Sequence, residues 1–404
     1  MKSLLKNILV KILGSQVRRL RKKYNFKIIG VVGSIGKTST KLAIAKVLMS
    51  EKRVRYQEGN YNDILSVPLV FFGHEMPDLW NIWQWLVILF KNEFQIYYSY
   101  PFDLVVVELG TDAPGQINMF RIYLHLDVAV LTAITPEHME FFKNIKNVAE
   151  EEWSVRYFSE LIFVNRDLCK ILPEDFDHDN IIFYGKEFDD DYKCEVISPV
   201  QLYSMNIAVI IAKKFDISEK KIKESINKIQ SFAGRFQKLK GIKNSTIIDD
   251  TYNASPDAVI MALDALYQYP GDQKIAILGM MNELGNSSAE EHKKVGRYCD
   301  PKLLDWVVTI GKDANDYLAL MAKQNGCNVY ETRNSVDAGL FVKTKIKENA
   351  AILAKGSQNG VFAEEAIKPL LANKSDISKL VRQDADWMKK KFVMQQLTFG
   401  PDRL

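Results

Sequence analysis

The stretch Lys27–Ser50, KIIGVVGSIGKTSTKLAIAKVLMS, decides how the chain folds. Ile28, Ile29, Val31 and Val32 read as a buried strand, and Gly33-Ser34-Ile35-Gly36 as a small-residue turn. Lys37-Thr38-Ser39-Thr40 then opens a helix carrying Leu42, Ala43, Ala45, Val47 and Leu48. A strand that feeds a glycine turn and then a helix N-terminus builds an anion site, because the turn N–H groups and the helix dipole converge on one point. Gly33, Ser34, Ile35, Gly36, Lys37, Thr38 and Ser39 are therefore expected to bind ATP. Lys37 would reach the β/γ-phosphates, and the Thr38 hydroxyl would hold Mg²⁺. The full G-x-x-x-x-G-K-[ST] pattern asks for a glycine where this chain has Val31, but the shorter G-x-x-G-K-T is intact. The bland alternative is a tight turn that happens to contain Gly-Lys-Thr.

Outward from this stretch, the pattern repeats. Asp103–Glu108 is an apolar run ending in a carboxylate, where a parallel-sheet nucleotide enzyme places a magnesium-coordinating acid. Further apolar runs lie at 127–133 and 161–165, with helical periodicity over 143–160, 200–214 and 217–229. Near Phe232 the alternation restarts, with strands at 246–249, 274–278, 306–310, 328–330 and 351–354. Apolar strands alternating with helices predict an α/β protein with mostly parallel sheets covered on both faces. The expected organisation is a basic segment over 1–27, a central P-loop ATPase domain over 28–232, and a Rossmann-like α/β domain over 233–404. The last twenty residues carry little signal.

The chain has 404 residues and a net charge of +4, but residues 1–27 hold nine cations and no acid, which leaves −5 for the rest. A mildly acidic body argues against a general nucleic-acid binder. Cys169, Cys194, Cys299 and Cys327 are scattered without a C-x-x-C pair, which argues against a zinc site and suits a reducing cytoplasm. In the first segment, Leu4, Leu5, Ile8, Leu9, Ile12 and Leu13 are expected to share one helix face. Docking of that face on the first domain, peripheral contact with the inner face of a membrane, and binding of an acidic partner all stay open. The same holds for LWNIWQWLVILF at 79–90, which is too short to cross a bilayer at about 20 residues per span. A buried or partner-facing helix and an interfacial one are both compatible with it.

The motifs together resemble the Mur ligase family, the ATP-dependent amide-forming enzymes of peptidoglycan precursor synthesis. The resemblance runs from about Ile28 to Leu371. It rests on Gly33–Thr38, Gly59-Asn60-Tyr61-Asn62, Glu108-Leu-Gly110, His138-Met-Glu140, Gly234-Arg235, Asp249-Asp-Thr-Tyr-Asn-Ala-Ser-Pro256, Leu278–Gly285 with His292, and Lys355-Gly-Ser357. It implies a ligase that phosphorylates a carboxylate with ATP and lets an amine attack the acyl phosphate. The expected partners are a muramyl-peptide or related cell-wall precursor and a dipeptide or amino-acid amine donor such as D-alanyl-D-alanine.

Several roles follow from the resemblance alone. Thr38 and Glu108 would hold a first Mg²⁺ and His138 a second; by itself His138 reads as a loop or capping histidine. Arg235 would contact phosphate near the hinge, where the plainer reading is a surface ion pair. Asp249 or Asp250 would lie near the ribose, with Asn253 also at the nucleotide. Asn60, Asn62, Tyr252, Asn282 and Glu283 would serve the acceptor or the region between domains, and Lys355 would face the reacting phosphate or acceptor.

The chain also departs from the family pattern. Only about 27 residues precede the nucleotide strand, too few for the domain that grips a UDP-sugar in full-length relatives. Glu152 stands where the family has a lysine that is carbamylated into a metal ligand; a glutamate brings the charge directly, unless Glu150-Glu151-Glu152 is only a solvated helix face. Ala133, Val200 and Gln358 replace a usual asparagine, histidine and arginine. These departures keep two alternatives in view: an amide ligase with a lipid-linked or other non-UDP acceptor, and a catalytically impaired nucleotide-binding scaffold at the membrane.

Overall fold

The structure, a computed structural model, describes residues 2–57, 59, 61–173, 179–187, 192, 198–229 and 231–399. β1 (Lys27–Val32) is buried except at its first residue. It lies inside a six-stranded parallel sheet of order β2-β3-β1-β4-β5-β6. The other strands are β2 (Val54–Arg55), β3 (Leu104–Glu108), β4 (Val128–Leu131), β5 (Ile162–Asn165) and β6 (Ile181–Tyr184). Strands β1, β3, β4 and β5 are apolar without alternation because helices cover both faces of the sheet. Register matters for function: Val31 is level with Glu108 on one side and Val130 on the other, so Glu108 stands beside the start of the glycine turn. The chain leaves β1 toward β2 on one side and β4 toward β5 on the other. In such a sheet the ligand crevice opens at the carboxyl ends of these two neighbours.

The second half builds another six-stranded sheet, of order β11-β10-β9-β12-β8-β7. Its members are β7 (Gln237–Lys240), β8 (Thr246–Asp250), β9 (Lys274–Gly279), β10 (Trp306–Ile310), β11 (Val329–Thr332) and β12 (Ala351–Lys355). All its pairings are parallel except β7 with β8. Asp250 and Lys355 are register partners on β8 and β12. Compactness divides the chain near residue 230, and the short stretch Pro136–Glu140 groups with the second unit. Each unit has its own apolar core.

Several local expectations need correcting. The N-terminal helix is Lys2–Tyr24, but its buried face is Leu9, Val10, Leu13, Gln16, Val17 and Leu20. Leu4, Ile8 and Ile12, expected beside Leu9 and Leu13, are exposed. The apolar letters alone gave the wrong phase because a polar residue, Gln16, belongs to the buried stripe. The tryptophan-rich segment extends to a helix over Ile82–Tyr98, of which only Trp85, Ile88, Asn92 and Ile96 are buried. Glu151 and Glu152 are buried, so no solvated face of three glutamates exists. The C-terminal stretch is helical over Ala385–Phe399 and sends Lys391 into a buried charge cluster. Cys169, Cys299 and Cys327 are buried free thiols, and Cys194 lies outside the described residues.

Candidate nucleotide and ligation site

Gly33 ends β1 at φ 119°, and a Cβ there would meet Thr132 Oγ1 at 2.3 Å and the Ala133 nitrogen at 2.8 Å. Only glycine lets the chain turn so close to β4. Ser34 ties the turn to the same neighbour: its N–H donates to Ala133 O at 2.9 Å, and its hydroxyl accepts from Thr135 N–H at 2.8 Å. Ile35 and Ser39 are buried, Ile35 in the turn and Ser39 in the first turn of the helix. Gly36, at φ 86°, is the left-handed N-cap of the helix Lys37–Leu48 and has no side chain to occupy the helix's free N–H groups. Lys37 folds back so that its ammonium donates to Gly33 O, which holds the cation over the turn.

Glu108 gathers the rest. Its Oε2 accepts from the Thr38 hydroxyl at 3.0 Å and lies 3.3 Å from Lys41 Nζ, while its Oε1 accepts from Asn62 Nδ2 at 3.4 Å. Glu108 and Lys41 are almost completely buried, so their attraction is little screened. Asn62 is seated by Gly110, whose N–H donates to Asn62 O at 2.8 Å and whose missing Cβ makes room for the amide. Asn60 lies outside the described residues. Glu152 comes from the helix Ile145–Trp153 and is fully buried; its Oε2 accepts the Gly33 N–H at 2.7 Å. Beside it, Glu151 accepts from the Gly115 and Ile117 N–H groups and fixes the loop after β3.

The second unit carries its own cluster. Asp250 and Lys355 form a buried pair at 2.5 Å, and Lys355 also donates to Asn253 O at 3.0 Å. Asp249 faces inward, accepting from the Thr251 hydroxyl at 2.6 Å, and burial pushes its carboxyl up to about 6. The two aspartates, equals in the sequence, thus differ: Asp249 fastens the Thr251 turn, and Asp250 neutralises Lys355. The Arg235 guanidinium stacks 4.0 Å from the Tyr252 ring centre. Asn253 is exposed. Asn282 donates through its backbone to Ser357 Oγ at 2.9 Å and through its amide to Asn359 O at 2.6 Å. His138, at φ 47°, places Nδ1 2.8 Å from Glu283 Oε2, and the hydrogen bond from His138 holds the Glu283 carboxyl below its ordinary range. His292 is buried: it accepts Met281 N–H at Nε2 and meets Ser288 O at Nδ1, and burial lowers its pKa, so it is a neutral strut.

Two family models match: the Mur ligase middle domain over residues 94–236 and the Mur ligase glutamate ligase domain over 234–358. Together they span well over half of the chain in the order the two units occur. The chain belongs to the Mur ligase family.

It is therefore an ATP-dependent amide-forming ligase of the Mur type, built from the family's middle and C-terminal domains. Among its relatives is the UDP-N-acetylmuramoyl-tripeptide–D-alanyl-D-alanine ligase of Bacillus subtilis, 25% identical over 85% of this chain and 76% of the relative. The Synechocystis enzyme of the same name is 23% identical over 87% of this chain and 76% of its own length. Among solved structures, the MurF ligase of Thermotoga maritima in complex with ADP has the same fold. Its TM-score is 0.70, at 21% identity, with 92% of this chain and 84% of that one covered. The fold also extends to a pseudomurein peptide ligase of Methanothermus fervidus, with TM-score 0.63, 16% identity and coverage of 86% and 79%.

Three residues of this Mur ligase went unread in the sequence. Lys41 looks like an ordinary helix lysine; its only signal is that it follows Lys37 by one turn. Arg382 and Glu364 form a buried pair at 2.6 Å, and Arg382 also donates to the Thr251 and Tyr252 carbonyls at 2.6 and 3.0 Å. Together they hold the loop that carries Tyr252 and Asn253, yet they sit over a hundred residues from it in sequence.

Proposed function

We propose that this ligase joins D-alanyl-D-alanine, or a similar amine, to the terminal carboxylate of a muramyl-peptide cell-wall precursor in the cytoplasm, through an acyl phosphate. The observation that carries the proposal is the phosphate turn Gly33–Gly36 with Lys37 folded over it and Thr38 3.0 Å from Glu108, in a chain of this family. The turn N–H groups and the start of the Lys37–Leu48 helix bind the polyphosphate, and Lys37 moves from Gly33 O onto the phosphoryl group in transfer. Thr38 and Glu108 would hold Mg²⁺ through a hydroxyl and a carboxylate oxygen, donors that suit a hard cation. Bound there, Mg²⁺ would neutralise phosphate charge. Lys41 keeps the Glu108 carboxylate aimed at Thr38.

Glu152 and His138 are proposed to serve metal as well. A buried carboxylate at the Gly33 N–H would repel the incoming phosphates unless a cation stood between them. His138 is oriented by Glu283, the carboxylate partner that metal-binding histidines commonly have. In the second unit, Arg235, Asp250, Asn253 and Lys355 are assigned to nucleotide and phosphate, with Asp249 positioning them through Thr251. Asn62, Tyr252, Asn282 and Glu283 are assigned to acceptor and amine.

The decisive experiment supplies ATP, D-alanyl-D-alanine and UDP-N-acetylmuramoyl-tripeptide whose terminal carboxylate carries ¹⁸O. Formation of the amide product with transfer of one ¹⁸O into the released phosphate is expected. Product without label in phosphate would exclude the acyl phosphate, and no product with this acceptor would exclude the substrate assignment.

A further inference from the structure

The helix Ile82–Tyr98 is apolar on two opposite faces. Trp85, Ile88, Asn92 and Ile96 pack inward. Trp83, Leu86, Phe90, Phe94, Tyr97 and Tyr98 point outward, with Trp83 80% and Phe90 74% exposed. At helical spacing the outward six fall in an arc of about 120°, a complete second apolar stripe. Aromatic residues close both ends of the stripe, and Leu86 and Val87 lie between them. Contiguous apolar surface of this kind on a protein marks an interaction site.

The neighbouring helix supplies charge. The helix Lys2–Tyr24 runs parallel alongside: Gln16 donates to Leu89 O at 3.0 Å, Arg19 pairs with Glu93 at 2.6 Å, and Lys23 donates to Tyr97 O at 2.6 Å. Arg19 and Lys23 share with Phe90, Phe94, Tyr97 and Tyr98 the walls of a groove of about 480 Å³. Lys11, Arg18 and Lys22 are exposed on the same helix, as are Leu4, Ile8 and Ile12. Eight of the chain's nine N-terminal cations are on this helix and the ninth, Lys27, is on β1; Arg21 and Lys27 pair with Asp127, while the rest of the protein is net negative.

We infer that these two helices form a docking surface for an anionic phospholipid bilayer. Cations meet the headgroups while the aromatic stripe enters the headgroup–acyl boundary, with Trp and Tyr at the level where their rings are favoured. No helix among the described residues is long and apolar enough to cross a membrane, so the contact is with the surface. A second copy of the chain is a poorer occupant, because the same basic helix would face itself. The inference is independent of which acceptor the ligase uses.

The test is co-sedimentation of the full chain with vesicles of phosphatidylcholine alone or mixed equally with phosphatidylglycerol. Binding to the mixed vesicles is expected, with loss of about tenfold or more in Trp83→Ser/Phe90→Ser/Phe94→Ser and in Lys11→Glu/Lys22→Glu, and weakening by salt. Circular dichroism and melting temperature, unchanged because these side chains are exposed, keep a folding defect from passing as a positive result. No sedimentation with mixed vesicles at low salt overturns the inference, as does equal binding by the aromatic triple variant. Concentration-dependent self-association that the triple variant abolishes, without vesicle binding, overturns it in favour of a homotypic interface.

Discussion

Glu108 shows how much one side chain can organise. A carboxylate at the end of β3 is shared by a hydroxyl and an ammonium from one helix, Thr38 and Lys41, and by the amide of Asn62 from a separate loop. The acid itself was legible, because a strand-end carboxylate in a parallel nucleotide-binding sheet has few other uses. Lys41 was not, since burial of a lysine depends on a partner that only the fold supplies. Glu152 was legible as a candidate but not in its placement: nothing in three consecutive glutamates says that two turn inward. At this scale Glu152→Gln is informative, because the amide keeps an oxygen for the Gly33 N–H and loses the charge. The variant is expected to melt within about 1–2 °C of the wild type, consistent with a retained hydrogen bond. The Mg²⁺ concentration giving half-maximal stabilisation by an ATP analogue should rise several-fold; titrations that superimpose would leave Glu152 as a loop anchor only.

At the scale of elements, the strand–turn–helix unit was readable because every local signal agrees on it. Apolar β-branched residues fill the strand, glycines stand where φ is positive, and the helix begins at once. Gly33→Ala puts a methyl group 2.3 Å from Thr132 Oγ1 at a backbone angle alanine resists. A loss of about 1–3 kcal/mol in urea unfolding of the first unit is expected, with nucleotide stabilisation weakened as the turn shifts. The N-terminal helix was readable as a helix but not in phase. Its buried stripe includes Gln16, which hydrogen-bonds Leu89 and Asn92, and its apolar letters divide between core and solvent. β2, β6 and β7 escaped notice for a related reason. A two-residue strand, a partly exposed edge strand and a polar antiparallel edge carry no apolar run to find.

For the whole molecule, the alternation of strands and helices and its restart near residue 232 were enough to foresee two α/β units. The buried charges of the second unit were not foreseeable, because Arg382, Glu364 and Lys391 meet only after the C-terminal helix returns. These groups give stability a pH dependence of two signs. Burial raises the Glu364 carboxyl, but Arg382 and Lys391 outweigh it and hold the folded value below the unfolded one. That contribution is complete above the ordinary glutamate range and is lost as pH falls through the folded value. Asp249 works the other way. With its carboxyl pushed up to about 6, the folded state takes up the proton first, so stability falls as pH rises from about 4 to 6. Asp249→Asn keeps an acceptor for Thr251 and should flatten that limb, by at most on the order of 3 kcal/mol. Denaturant unfolding of the second unit at a series of pH values between 3 and 8 reads both limbs; an unchanged slope in the variant would contradict the assignment.

The proposed reaction depends on Lys37, Thr38 and Glu108 receiving a triphosphate with magnesium. The direct measurement is the melting temperature of the wild type, Lys37→Ala and Thr38→Ala with and without a non-hydrolysable ATP analogue and Mg²⁺. A ligand in large excess that binds only the folded state should raise the wild type by about 5 °C or more. Both variants should melt like the wild type when unliganded and lose most of that shift. A full shift retained in both variants would mean that the nucleotide binds elsewhere.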